Sequence, residues 1–248
     1  MPNSYNNPPG RLLSFVNEAI SCAGSTNNRI DEVWLQVLNL ERDDRTIPRV
    51  YSHLSLMCDL LDETESMIAS AIDEDRRELY LRSLPEIRKG LLPGNLQSNW
   101  NQIEKYFSKA ALTGLEFCAA DLPKEHPISQ DEIKSVYTEL DSLFKSVHES
   151  KLNKTLKTWL LTLLSNAKLS IDLYRIKGAR AFKQALREMV GEAVLHKDAF
   201  PEVKRESSVF NQLTTFLGNL NTLAQRAEEW KPLLEYSAAS VSSLITQL

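Results

Sequence analysis

The feature that most limits what this chain can become is the run from Leu152 to Leu195, where apolar residues recur at helical spacing over many turns. Leu156, Leu160, Leu163, Leu164, Leu169 and Leu173 are expected on one side, with Trp159 beside them. The only interruption expected is at Lys177-Gly178, where glycine suits a left-handed cap that ends one helix before the next starts. A helix this apolar needs neighbours to cover it, so the other segments are expected to pack around it.

Those segments read as a succession of amphipathic helices. Residues 1–9 are polar and proline-rich and are expected to form a loose tail. From Gly10 onward Leu12, Leu13, Val16 and Ile20 share a face, and Asn27-Asn28 marks a turn. Asp31 and Glu32 then open a helix carrying Val33, Trp34, Val37 and Leu38, where carboxylates suit the positive end of the helix dipole. Pro48 suits the first turn of a helix through Val50, Leu54, Met57, Leu60 and Leu61, continuing to Ile68 and Ile72. Leu79, Leu81, Leu84 and Ile87 make a further apolar pattern that ends in the turn residues 90–94. One long helix is expected over Leu96–Ala120, with bulk from Trp100, Ile103, Phe107, Leu112, Leu115 and Phe117. Gly114 inside it permits close helix approach, at a cost of about 1 kcal/mol relative to alanine.

Residues 121–129 hold two prolines and are read as a linker between a 10–120 helical subdomain and a 130–248 one, or a loop in one continuous domain. Ser129 and Glu132 have capping-box spacing, and the helix they start carries Ile133, Val136, Leu140, Leu143, Phe144 and Val147. Beyond Pro201, Val209, Leu213, Phe216, Leu217 and Leu220 form the next apolar face. A final segment holds Leu223, Trp230, Leu233, Leu234, Val241, Leu244 and Leu248, kinked or split at Pro232. Alternating β patterns and hairpin turns are missing. The expected fold is an all-α, multi-helix bundle of about eight to ten helices, with the tryptophans in or beside its core.

Composition enters mainly through what it excludes. A formal net charge of −4 speaks against a general polyanion binder. Cys22, Cys58 and Cys118 form no Cys-x-x-Cys pair, which fits thiols in a reducing compartment. The first residues show neither a basic region nor an apolar core of a leader, and no membrane-length apolar run occurs, so a cytoplasmic protein is expected. No phosphate loop, dinucleotide fingerprint or nucleophile elbow is found, and no cofactor, small-molecule ligand or metal is assigned.

Three clusters remain as candidates. Arg175, Lys177, Arg180, Lys183 and Arg187 form the strongest basic group, with Arg180, Lys183 and Arg187 expected on one helix face opposite Phe182, Ala185, Leu186 and Met189. Such a stripe meets an acidic protein surface or nucleic-acid phosphates. The acidic run from Asp59 to Glu78 is its natural complement, within the molecule or across a dimer. Arg49 and His53 share a helix face, and a histidine there can serve as an acid or base near neutral pH. Their spacing is shorter than the motif of the HEPN-type helical ribonucleases, so that family is not assigned. The function expected is a non-catalytic helical module that binds another protein or itself. The alternatives are a nucleic-acid accessory protein using the basic face and a divergent ribonuclease using Arg49 and His53. The 175–187 face, the acidic run and the apolar 233–248 segment are the expected recognition surfaces.

Overall fold

The computed structural model of the chain describes residues 6–24, 28–196 and 200–225. The turn residue Asn27 and the apolar segment containing Trp230 and 233–248 therefore lie outside the described residues. The fold is all-α, with 10 helices of seven residues or more among the described residues. A single antiparallel bridge, Arg29 to Asn99, is the nearest approach to a strand among the described residues. None of their helices is long and apolar enough to cross a membrane. Contacts divide the chain into two compact units, between Lys124 and Glu125.

In the first unit, α1 (Pro8–Ala23) packs on α2 (Ile30–Leu38), α3 (Thr46–Ala71) and α7 (Lys109–Asp121). The helix starts earlier than Gly10 because two prolines fill its first positions, where no amide is needed, and Asn7 caps it. Asn7 is fully buried: its Oδ1 accepts from Gly10 N at 3.0 Å, and its Nδ2 donates to Ala119 O and Leu122 O. Residues 7–9 are thus a staple between the start of α1 and the end of α7 and not part of a loose tail. Asp31, in the first turn of α2, is 2% exposed and gripped by Arg29 at 2.8 Å and Arg42 at 3.2 Å.

The single helix expected over Leu96–Ala120 is broken. Residues 95–100 form a loop whose backbone pairs with the start of α2: Ile30 N donates to Ser98 O, Asp31 N to Leu96 O, and Trp100 N to Asn28 O. These bonds compete with helical ones, and helix resumes only as α6 (Asn101–Glu104), a 3-10 turn and α7. Ser108, extended at φ −59° and ψ 154°, caps α7 by accepting from Ala111 N. Trp34, Trp100 and Phe107 nevertheless reach one core, with centroids 6.1 and 5.8 Å apart along the series. Phe117 points outward, 57% exposed, while Leu115 and Cys118 face in.

Between them run α4 (Glu74–Leu81) and α5 (Leu84–Leu91). Leu79 was expected inside and is 66% exposed; Tyr80 is buried in its place. A buried tyrosine needs a partner for its hydroxyl. Tyr80 Oη donates to Asp121 Oδ2 at 2.6 Å, a bond that raises its pKa above the usual value, and accepts from Arg76. Gly114 does permit close approach: an added Cβ would lie 2.5 Å from Ser83 Oγ.

The second unit is a four-helix ring. Helices α8 (Gln130–Glu149), α9 (Lys154–Asp172), α11 (Arg180–Leu195) and α13 (Ser207–Gln225) pack in that cyclic order, α13 closing on α8. Short α10 (Tyr174–Lys177) and α12 (Phe200–Arg205) serve as corners. Side-chain bonds show antiparallel neighbours: Tyr137 to Asp172 between α8 and α9, and Ser146 to Gln212 with Asn219 to Glu139 between α8 and α13. Leu140, Leu160, Leu164, Phe182, Met189 and Phe216 are in the core they enclose. The capping box at α8 is complete: Glu132 N donates to Ser129 Oγ at 3.2 Å, and Ser129 N to Glu132 Oε2 at 2.8 Å.

Leu169, assigned to the apolar face of α9, is 65% exposed. Steps of three and four from Leu156 lead through Leu160, Leu163 and Leu164 to Ala167 and Ile171, which are buried, and leave Leu169 on the far side. Of the tryptophans, Trp34 and Trp100 are buried and Trp159 is half-buried. In the 121–129 stretch, Leu122 is buried in the first unit, and Glu125 and Ile128 in the second.

Candidate functional site

All five cations of the basic cluster fall on the corner of the second unit formed by α10, Gly178 and α11. Gly178 has φ 61° and ψ −149°, so the cap is not the left-handed helical one expected. This is mirror-extended backbone, which side chains with a Cβ adopt only under strain. Ile176 and Ala179 on either side are buried, Phe182 packs its ring 5.4 Å from that of Tyr174, and Ala185, Leu186 and Met189 continue into the core. Packing therefore fixes the corner and leaves Arg175, Arg180 and Arg187 exposed, with Lys183 half-buried.

Lys177 does something different. Its Nζ donates to Gln184 Oε1 at 2.6 Å, Gln184 Nε2 donates to Glu188 Oε1 at 2.8 Å, and Ser170 Oγ donates to Glu188 Oε2 at 3.1 Å. The ammonium is the first link of a chain tying α10, α11 and α9. Two carboxylates also join the cluster. One is Glu188; the other is Glu125, buried, whose Oε2 accepts from Ala179 N at 3.4 Å. Sequence distance hid Glu125, because more than fifty residues separate it from the corner. The result is a rigid surface of mixed charge with a cationic excess. Exposed guanidinium groups at such a surface suit carboxylate or phosphate oxygens through paired donors.

Arg49 and His53 lie on one face of α3, but each is engaged locally. His53 Nδ1 sits 2.8 Å from Arg49 O, and Arg49 Nη1 pairs with Asp43 Oδ2 at 3.1 Å. The acidic run splits between α3 and α4; Asp62 and Glu65 both accept from Arg88 of α5, at 2.6 and 3.2 Å. Among the described residues no group of three or more histidine, cysteine, aspartate or glutamate side chains is placed to hold a metal ion. His196 ends α11 with its Nε2 3.5 Å from Glu192 Oε2 and its ring 5.1 Å from that of Trp159. Gly191, inside α11, has nothing within 4 Å of an added Cβ.

The first unit also carries a cleft of about 620 Å³. It lies between α5 and α6, with Arg88, Lys89 and Leu92 on one wall and Gln102, Ile103 and Tyr106 on the other. Ile30 from α2 and residues 93–95 complete it. The one available signal was the i, i+3, i+4, i+7 spacing of Pro85, Arg88, Lys89 and Leu92, which mixes apolar and basic side chains on one face.

No protein-family model matches the chain, no curated protein matches its sequence, and no solved structure matches its fold.

Proposed function

We propose that this protein is a non-catalytic helical interaction module whose basic corner receives an acidic protein surface. The observation that supports it is the corner itself: Arg175 and Arg180 are exposed at a backbone turn held by buried Ile176, Ala179 and Phe182, and Arg187 is exposed two turns further along α11. Order in the free state lowers the conformational cost of binding. Mixed charge favours protein over nucleic acid, because Glu125 and Glu188 reduce the potential that a row of phosphates would need. The three cysteines are free thiols, which suits a reducing, cytoplasmic setting.

Fluorescence anisotropy with a labelled glutamate-rich peptide and a labelled single-stranded RNA of equal length tests the reading. Binding of the peptide, weakened at least tenfold in the Arg180→Glu, Arg187→Glu double variant, is expected. Tighter binding to RNA with a steep salt dependence overturns it in favour of the nucleic-acid reading. Peptide binding that ignores both reversals removes the corner as the site.

A further inference from the structure

We propose that the cleft between α5 and α6 is a binding site for a small amphipathic carboxylate, an apolar or aromatic body with one anionic head. Its volume of about 620 Å³ falls in the range of small-molecule sites, and its walls combine apolar surface with a few polar groups, as such sites do. The body would rest on Ile30 and Ile103, between Leu92, Pro93 and the ring of Tyr106. Leu92 is 52% exposed, an apolar lip that a ligand would cover.

The head is assigned by charge. Among the described residues no carboxylate lines the cleft, whereas Arg88 and Lys89 both do. Arg88 is held from behind: its Nη2 donates to Asp62 and Glu65, and among the described residues its Nε and Nη1 have no partner. Burial opposes its charge, and the hydrogen bonds to Asp62 and Glu65 more than offset this, raising its pKa. The guanidinium is therefore fixed while keeping unused donors, the arrangement that favours planar anion recognition. Lys89 ion-pairs with nothing among the described residues and supplies the unmatched positive charge. A doubly charged phosphate would meet Asp62 and Glu65 behind Arg88, so a single charge fits better.

The cleft is also built in advance. Tyr51 Oη donates to Pro93 O at 3.2 Å, and Asn95 Oδ1 accepts from Gln97 N at 2.9 Å, which pins the loop that lines one side. Ile30 is anchored by its backbone bond to Ser98 O.

Isothermal titration of the full chain with phenylpropionate, and with phenylpropanol as its uncharged counterpart, tests the proposal. Phenylpropionate is expected to bind, and Lys89→Ala to weaken it about tenfold. Gly94→Trp, which adds an indole at a position that lines the cleft and has open space around its Cβ, should abolish binding, with the thermal midpoint measured beside it to show that the variant is folded. Absence of phenylpropionate binding at millimolar concentration overturns the proposal. So does binding that survives both substitutions, and so does equal affinity for the alcohol.

Discussion

Replacing Gly90 by alanine sets two effects of known sign against each other. Gly90 lies within α5, where alanine is favoured over glycine by about 1 kcal/mol through backbone entropy alone. Its Cβ would, however, sit 2.5 Å from Phe107 Cζ and 2.7 Å from Cε1. Contact at about 3.5 Å is the ordinary limit, so the ring must move by roughly 1 Å. It has little room: Phe107 is buried and stacked on Trp100, which packs on Trp34. Overpacking of this kind costs about 1–3 kcal/mol. The net expectation is a loss of about 1 kcal/mol, with about 2 kcal/mol as the upper end. Urea unfolding of Gly90→Ala, followed by tryptophan emission and by circular dichroism, reads the change as a lower midpoint at unchanged slope. Gly191→Ala is the control, since open space surrounds its Cβ and only the favourable term, up to about 1 kcal/mol, remains. In a Phe107→Leu background the alanine at position 90 should become neutral or stabilising, giving a coupling energy of about 1 kcal/mol. Stabilisation by Gly90→Ala comparable to that by Gly191→Ala would refute the ring-contact argument.

Removing the hydroxyl in Ser129→Ala should cost the second unit about 1 kcal/mol, by releasing the amide of Glu132 at the start of α8; an unchanged midpoint would show the box to be idle. Burial pushes the thiols of Cys58 and Cys118 from 9.0 up to about 11 and about 12, which at pH 8 lowers their thiolate fractions roughly 100- and 1000-fold. Ellman's reagent should therefore label both slowly in the native protein and all three cysteines promptly in denaturant; prompt native labelling of Cys118 would contradict its burial. Since both folded-state values lie above 9.0, this contribution to stability is intact below pH 9 and is lost as pH rises through about 11 for Cys58 and about 12 for Cys118. Cys118→Ala should flatten the alkaline fall in the urea midpoint.

What could be read from the sequence was whatever depends on neighbours within one helical turn. The Ser129–Glu132 box is a three-residue rule, and the faces through Leu54, Met57 and Leu61, or Leu213, Phe216 and Leu220, are repeats of the helical period. Errors came where a distant group changed the local preference. Tyr80 displaces Leu79 from the interior because Asp121, forty-one residues away, satisfies its hydroxyl. Asn7 turns a polar, proline-rich start into a cap because Ala119 and Leu122 offer carbonyls at the end of α7. The Leu96–Ala120 run breaks because the amides of Ile30 and Asp31 capture the carbonyls of Ser98 and Leu96.

The candidate surfaces follow the same division. That Arg180, Lys183 and Arg187 share a face of α11 is periodicity, and it was legible. That Lys177 is tied into the Gln184–Glu188–Ser170 chain, and that Glu125 stands against the amide of Ala179, required the bundle to be assembled. These two facts alter the chemistry: they remove one cation from the exposed set and place a buried carboxylate beneath the rest. A basic stripe judged by its sequence alone promises a phosphate binder; the same stripe with its inner carboxylates presents a weaker and more patterned field, which suits a partner whose own charges are fixed in position. The cleft takes this further, since its walls come from α2, α5, α6, the 3-10 turn and the 92–95 loop, and Asp62 and Glu65 on α3 hold Arg88 in place at its edge. The selectivity proposed for either surface would therefore rest on residues that no single segment contains.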